Sequence, residues 1–332
     1  VLREASVDVN LSGTGYNFYR LTDLNLEGSA NVYPTDLSID LKGVSSRVLG
    51  TGLPEARIKG GIAYRNTGGL ETLSFSEFGI ESGSSRLQLT GKVKDLQTLD
   101  TEARVSIDRL APADVARFVP QWPVKENVSG IVNVRGPTQS LNGDFSFSLA
   151  GGSLSGKFQA DAAKEKPEYQ GNAKFTGLNL TKLIDRKDLA GVLTGLVEVR
   201  GSGFALPDIS GRGEAHLGRS EIVGWNLGEI FLQVNLAQSQ AKMTGQLKGG
   251  LGQADWQGQI VIKENPQYEL AFSANQLDIQ KLAAKDNAIK GQLNLEGMIN
   301  GSGLTLATMN AQAKVNLRKS TIGEVNLEQG TL

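Results

Sequence analysis

The chain has 332 residues, with 34 Lys and Arg against 35 Asp and Glu, one His and no Cys, for a formal net charge of −1. That balance gives no pull toward nucleic acid or an anionic surface, and the lack of Cys removes disulfide frameworks, thiolate metal sites and cysteine nucleophiles. Hydrophobic residues make up 39%, too many for a disordered chain and short of the about 45–50% of an ordinary globular domain.

The pattern along the chain is apolar and polar residues in alternation, the signature of strands with one oily and one wet face. In chain order, the oily parity falls on Val7, Val9 and Leu11, then Leu37, Ile39 and Leu41, then Leu87, Leu89 and Val93, continued after a turn by Val105 and Ile107. Val128, Val132 and Val134 follow, then Phe145, Phe147 and Leu149, then Leu154, Phe158 and Ala160, then Ala173 and Phe175. Leu193, Val197 and Val199 lead to Ala215 and Leu217, to Leu232, Val234 and Leu236, and to Met243 and Leu247. Trp256, Ile260 and Ile262, then Leu270 and Phe272, then Ile289, Leu293 and Leu295 precede Ala313, Val315 and Leu317, and Ile322, Val325 and Leu327 close the chain. Turn signals separate these runs at Asn66–Gly69, Gly151-Gly152, Gly249-Gly250 and Asn265-Pro266, so the strands read as an antiparallel meander. Glycines inside strand runs, at Gly130, Gly195, Gly258 and Gly291, suit bulges, sharp curvature and close approach.

Helical signals are few and short: Ala113 to Val119 with Pro112 at its start, Leu183 to Leu189, and Gln280 to Lys285. They read as plugs between sheet segments. A quasi-repeat, apolar-x-Gly-x-apolar-x-apolar-x-Gly, recurs from Val128 to Gly136, Leu193 to Gly201 and Ile289 to Gly297, each after a Leu-rich segment. Its uneven spacing argues against a propeller or tight solenoid. The units run approximately over 1–100, 101–168, 169–267 and 268–332, in one continuous β-groove segment over 1–332. No stretch approaches a membrane-spanning apolar run. From its start at Val1 and its end just past an alternating run, the chain is expected to be an excerpt of a longer protein.

Catalytic and cofactor signatures are weak. His216 lies on the wet parity of its strand and has no G-x-S-x-G elbow. Gly201-Ser-Gly203 and Gly301-Ser-Gly303 do not complete a dinucleotide fingerprint and read as turns. Trp225 and Trp256 suit groove-wall packing better than a ligand shelf. No cofactor or metal is expected, and the chain does not read as an enzyme.

The strand–Gly–strand units and the Leu-x-Leu-x-x-Leu punctuation, strongest from Leu87 to Leu327, resemble the AsmA/TamB superfamily of bacterial envelope proteins, closest in style to its TamB-like branch. The resemblance implies an all-β fold: an elongated antiparallel sheet folded lengthwise into a U-shaped hydrophobic groove (a β-taco) with a few short helices. It also implies the periplasm of a diderm bacterium, with an inner-membrane anchor outside this excerpt. The groove lining expected from the oily parity is Val9, Ile39, Leu89, Val132, Val134, Phe145, Phe147, Leu149, Phe158, Phe175, Val197, Val199, Leu217, Val234, Leu247, Trp256, Ile260, Phe272, Leu293, Leu295, Val315 and Leu317. Burying hydrocarbon contributes ~0.8 kcal/mol per methylene, or about 12 kcal/mol for a tail of roughly 16 carbons, so such a wall can replace the bilayer along a route through water. The function expected is a segment of a bridge-like conduit carrying phospholipid acyl chains between inner and outer membranes. The alternative is a scaffold or chaperone for outer-membrane protein assembly, with a barrel protein as partner, using the groove or a free strand edge. A closed, dry structural solenoid is a third reading.

Overall fold

The computed structural model describes residues 1–10, 18–50, 53–117, 124–183, 190–203, 208–222, 225–282, 290–303 and 309–331. They are all-β: every strand pairing among them is antiparallel, and the α-helices among them are single turns. The chain divides into two compact units, Val1–Lys164 with Lys182–Asp185, and Glu165–Thr181 with Arg186–Leu332.

The first unit is a meander in which each strand pairs with the next. Its elements are β1 (Leu2–Asn10), β2 (Phe18–Val32), β3 (Asp36–Gly50), β4 (Leu53–Thr67), β5 (Leu70–Ser82), β6 (Ser85–Lys94), β7 (Asp100–Leu110), helix α1 (Pro112–Val115), β8 (Val128–Gly136), β9 (Leu141–Leu149) and β10 (Gly152–Asp161). The second runs through β11 (Glu168–Asn179), the start of helix α2 (Leu180–Leu183, whose last two residues fall in the first unit), β12 (Gly191–Ser202), β13 (Ser210–Ile222), β14 (Trp225–Ala237), β15 (Gln240–Gly249), β16 (Gly252–Val261), β17 (Gln267–Asp278), helix α3 (Ile279–Leu282), β18 (Gly291–Ser302) and β19 (Asn310–Leu317). It closes with the short strands β20 (Ser320–Ile322), β21 (Val325–Leu327) and β22 (Gly330–Thr331).

Several sequence expectations change. The run Ile322, Val325, Leu327 is a hairpin, with Ile322 paired to Val325 across a turn at Gly323, whose φ is +60°. The alternation pattern does not reveal β2, β4 and β5: a bulge between Thr22 and Asn25 shifts the parity of the first, Gly60-Gly61 interrupts the second and a bulge between Phe75 and Phe78 shifts the parity of the third. The helices start earlier than expected. Pro112 opens α1, and Arg117 ends the described part of that segment. Asn179 and Asp278 are N-caps: Asn179 Oδ1 accepts from the Thr181 N–H at 3.0 Å and Asp278 Oδ1 from the Gln280 N–H at 3.1 Å, so α2 and α3 begin directly after them. Residues 118–119, 184–189 and 283–285 of the expected helices lie outside the described residues.

The third repeat copy also moves. Phe175 and Leu178 flank a bulge in β11 and pair with Gly195 and Leu193, and Ala274 and Leu277 flank one in β17 and pair with Leu295 and Leu293. Leu293 is therefore the counterpart of Leu193, and Gly291 that of Gly191. Further pairs follow that alignment. Ser220 Oγ accepts the Thr194 N–H at 3.2 Å and Ser320 Oγ the Asn294 N–H at 2.9 Å. The Gly203 N–H reaches the Pro167 carbonyl and the Gly303 N–H the Pro266 carbonyl, each at 2.9 Å. Gly201-Ser-Gly203 and Gly301-Ser-Gly303 end β12 and β18 at equivalent places.

The accessible surface is 20846 Å². Two compact globules of half this mass each would together expose about 16,000 Å². Among the described residues most apolar side chains on the oily parity are only half-buried, as on sheets with one face uncovered. The fully buried apolar residues, among them Ala150, Phe175, Leu178, Leu251 and Ala274, include several at the strand ends where the helices lie.

One polar cluster pins such an end. Asp114 in α1 is buried and accepts from the Ser84 N–H at 2.9 Å and the Ser85 hydroxyl at 2.8 Å, while Ser85 Oγ accepts the Ala111 N–H at 2.9 Å. Gly83, at φ +57°, makes room: a Cβ there would stand 2.2 Å from Asp114 Oδ1. Asp114→Ala leaves these donors without their acceptor, and a loss of about 1–3 kcal/mol is expected in urea unfolding; an unchanged midpoint would show that the cluster does not hold the β5–β6 turn.

Candidate functional site

Residues directly opposite one another in an antiparallel pair share a face, so the register traces each face across a unit. In the second unit four such rows cross the nine strands β11 to β19. One reads Ala173, Val197, Ala215, Leu232, Gly245, Trp256, Phe272, Gly297, Val315. The row nearer the helices holds Phe175, Leu217, Leu247, Leu295 and Leu317, with Leu293 one step beyond it, opposite Leu277. Val199 and Val234 share the third row, and Ile260 lies in the fourth, between Ala241 and Tyr268. Every position of the four rows is apolar, glycine or tyrosine, with no charge.

The first unit has the same construction. Phe78, Leu89, Val105, Val132, Phe145 and Gly156 form one row. Leu41, Ile62, Phe75, Gly91, Ala103, Val134, Gly143 and Phe158 form the next. Phe147 sits opposite Gly130 and Leu154, Leu149 opposite Gly152, and Ile39 opposite Tyr64. Phe145 and Phe147 stack at 5.5 Å and Phe75 meets Phe78 edge-on at 5.8 Å. Val9 pairs with Tyr19, and its side chain lies outside the described residues. Thus every expected lining residue whose side chain is described stands on the apolar face of its unit. Val199 is the most open, at 45% exposure.

A device the alternation pattern concealed is the pairing of aromatic residues with glycine. Phe147, Phe158, Phe175, Trp256 and Phe272 each lie opposite Gly130, Gly143, Gly195, Gly245 and Gly297 respectively, and Tyr169 and Tyr268 lie opposite Gly201 and Gly301. A Cβ on the glycine would meet the ring in each: 2.3 Å from Phe158 at Gly143, 2.7 Å from Phe272 at Gly297, 2.6 Å from the Tyr268 hydroxyl at Gly301. The rings therefore fold down over the neighbouring strand. Gly130 and Gly195, expected to permit bulges, curvature or close approach, serve the last of these. Gly258 faces Leu270, and Gly291 starts β18.

The opposite face is wet. Exposed ion pairs cross it, Arg20 with Asp8 at 2.8 Å, Lys92 with Glu102 at 3.2 Å, Arg212 with Glu214, and Arg318 with Glu296. Hydrogen bonding from Lys92 holds the Glu102 carboxyl below its ordinary range. His216 is exposed there, 4.6 Å from the Phe231 ring. Hollows also open on this face. In the second unit one of about 680 Å³ involves Phe231, Ala271 and Met298 among Gln246, Asp255, Glu296 and Lys314. Its charged rim would have to be desolvated for an acyl chain to enter. Trp225 is 39% exposed at the start of β14. Among the described residues no group of three or more His, Asp or Glu is arranged to hold a metal, and no helix is long and apolar enough to cross a membrane. No protein-family model matches the chain, and neither does any curated protein or solved structure.

At Gly245 the nearest obstacles to a Cβ are all atoms of the Trp256 indole, at 2.2–2.6 Å. Gly245→Ala should cost about 1–3 kcal/mol by overpacking and red-shift the Trp256 emission as the ring lifts. Adding Trp256→Leu should recover part of that stability; a double variant no better than the single one would mean the ring is not held against the glycine.

Proposed function

We propose that the apolar faces carry acyl chains, and that the chain is a segment of a lipid conduit between the inner and outer membranes of a diderm bacterium, as its resemblance to AsmA/TamB-like proteins implies. The observation that carries this reading is the uncharged four-row face of the second unit. Nine strands about 4.8 Å apart and rows spanning ~20 Å of strand make that face about 800 Å². Soluble monomers rarely leave more than a few hundred Å² of contiguous apolar surface open. Half-buried valine, leucine and phenylalanine offer dispersion and hydrophobic contact along the whole face without a discrete polar pocket. Such a wall selects for tails and tolerates many head groups. It also lets a chain slide, because neighbouring positions bind alike. Phospholipid is the ligand, and the membranes are reached through regions outside this chain. The ladder geometry supports a path that continues from strand to strand, since each row of the second unit passes through all nine strands from β11 to β19.

Photocrosslinking amino acids at Val197 and Leu232 should capture phospholipid from vesicles, and the same groups at Glu198 and Gln233, their wet-face neighbours, should not. Equal capture on both parities, or capture of polypeptide instead of lipid at Val197, would defeat the conduit reading. Val197→Asp should leave a cooperative thermal transition in place and reduce lipid recovered in organic extracts of the purified protein, since the aspartate on that half-open face can stay hydrated when lipid is absent.

A further inference from the structure

The apolar face of the second unit differs at its two edges. At the edge bearing α2 and α3 the floor ends in buried hydrocarbon: Phe175, Leu178, Leu251 and Ala274 are all buried, and a Cβ on Gly291 would stand 2.9 Å from Ile279 Cδ1. At the other edge the outermost row contains Tyr169 and Tyr268, each laid over a glycine so that its hydroxyl reaches along the sheet. Beyond that row the connections are charged and exposed, with Glu165 and Lys166 on one turn and Lys263 and Glu264 on its counterpart. The first unit repeats the arrangement: Tyr64 stands on the apolar face at the edge away from α1, its hydroxyl donating to Glu71 Oε1 at 2.6 Å. Tyrosine is the side chain suited to a boundary with one oily and one wet side.

The width between the edges matters as much as their chemistry. From Phe175 to Tyr169 is six residues of strand, about 20 Å at ~3.3 Å per residue. One leaflet of bilayer hydrocarbon is about 15 Å thick, half of the ~30 Å core. The floor is therefore one lipid tail wide.

Resting on the lipid reading above, we propose that the floor orients its cargo crosswise: acyl chains lie parallel to the strands with their ends toward the α2/α3 edge, and the glycerol and head group sit at the tyrosine edge. The occupant is thus an amphipathic lipid with tails of leaflet length and a polar group at one end only. A lipid moving along the unit then keeps its head in water at every strand, and Tyr169 and Tyr268 act as positioning residues through hydroxyls that meet the ester and head-group region.

Because the chain has no Cys, one bimane fluorophore can be placed at Leu217→Cys, in the row nearest the helices, or Leu236→Cys, in the tyrosine row. Each labelled protein is mixed with phosphatidylglycerol vesicles carrying a spin label either beside the glycerol or at the tail terminus. The expected result is inversion: the terminal label quenches more at residue 217, and the glycerol-proximal label quenches more at residue 236. Paired Tyr169→Phe and Tyr268→Phe substitutions should move both ratios toward one while quenching persists. Quenching with the same ratio at both sites, or inversion of the opposite sense, overturns the orientation and leaves lipid binding standing. Inversion unchanged in the tyrosine variants overturns their role. No quenching at either site overturns the lipid reading itself.

Discussion

A sheet face stays apolar across many strands only if each strand keeps register with the next, because a slip of one residue turns every side chain over. This chain holds that constraint while repeatedly inserting an extra residue. Between Phe75 and Phe78, Ile107 and Leu110, Phe175 and Leu178, and Ala274 and Leu277, three steps on one strand answer two on its partner. Each insertion switches the sequence parity, and each time the next large apolar residue switches with it, so the oily face continues through the bulge. In three of the four the backbone accommodates the extra residue at positive φ: Gly177 at +65° bears it without strain, and Glu77 at +46° and Gln276 at +52° occupy the same conformation with side chains. The last three of these bulges lie at the strand ends that lead to α1, α2 and α3. A bulge bends and twists its strand, which turns the chain off the sheet where an N-cap such as Asn179 or Asp278 can start a helical turn.

The aromatic–glycine pairs follow from the same geometry. A ring standing upright from an open sheet would expose most of its area to water, with nothing opposite to bury it. Laid over a glycine, it covers backbone on the adjacent strand and excludes water there. The glycine loses strand propensity by this arrangement, and the ring's burial offsets the loss. An alanine could not stand in its place at Gly143 or Gly245, where a Cβ would sit within 2.5 Å of the ring. Glycine content, 41 residues, is in this light partly a packing requirement and only partly a matter of turns.

Much of the floor could be read from the residues alone, because parity is a local property. Val132, Phe145, Val197, Val234 and Phe272 needed only their neighbours in sequence to be placed. What could not be read depends on partners in register. Strands β2, β4 and β5 are hidden in the sequence since bulges or a glycine pair break the period of two within them. The glycine motif aligns the third repeat on Gly291, whereas the structural equivalence runs through Leu193 and Leu293 beside the bulge. The helix starts are hidden for a related reason: Asn179 and Asp278 occupy the wet parity of a strand, and only the change of backbone direction makes them caps. The tyrosine edge likewise emerges only when Tyr169 and Tyr268 are seen to end equivalent rows.

An open apolar face has a thermodynamic consequence for the protein that carries it. The strand ladders satisfy the backbone, and the exposed ion pairs of the wet face contribute little, each in the range of about 0–1 kcal/mol. Few side chains are buried outright, so a large share of the usual driving force for folding is left unrealised at the floor. Whatever apolar molecule settles there completes the burial that the chain does not achieve by itself. By mass action an occupant that binds the ordered sheet and not the unfolded chain stabilises the sheet. On the proposed lipid reading, such a wall and its contents would be coupled: the sheet would organise the occupant along its strands, and the occupant would supply the burial that the chain leaves open.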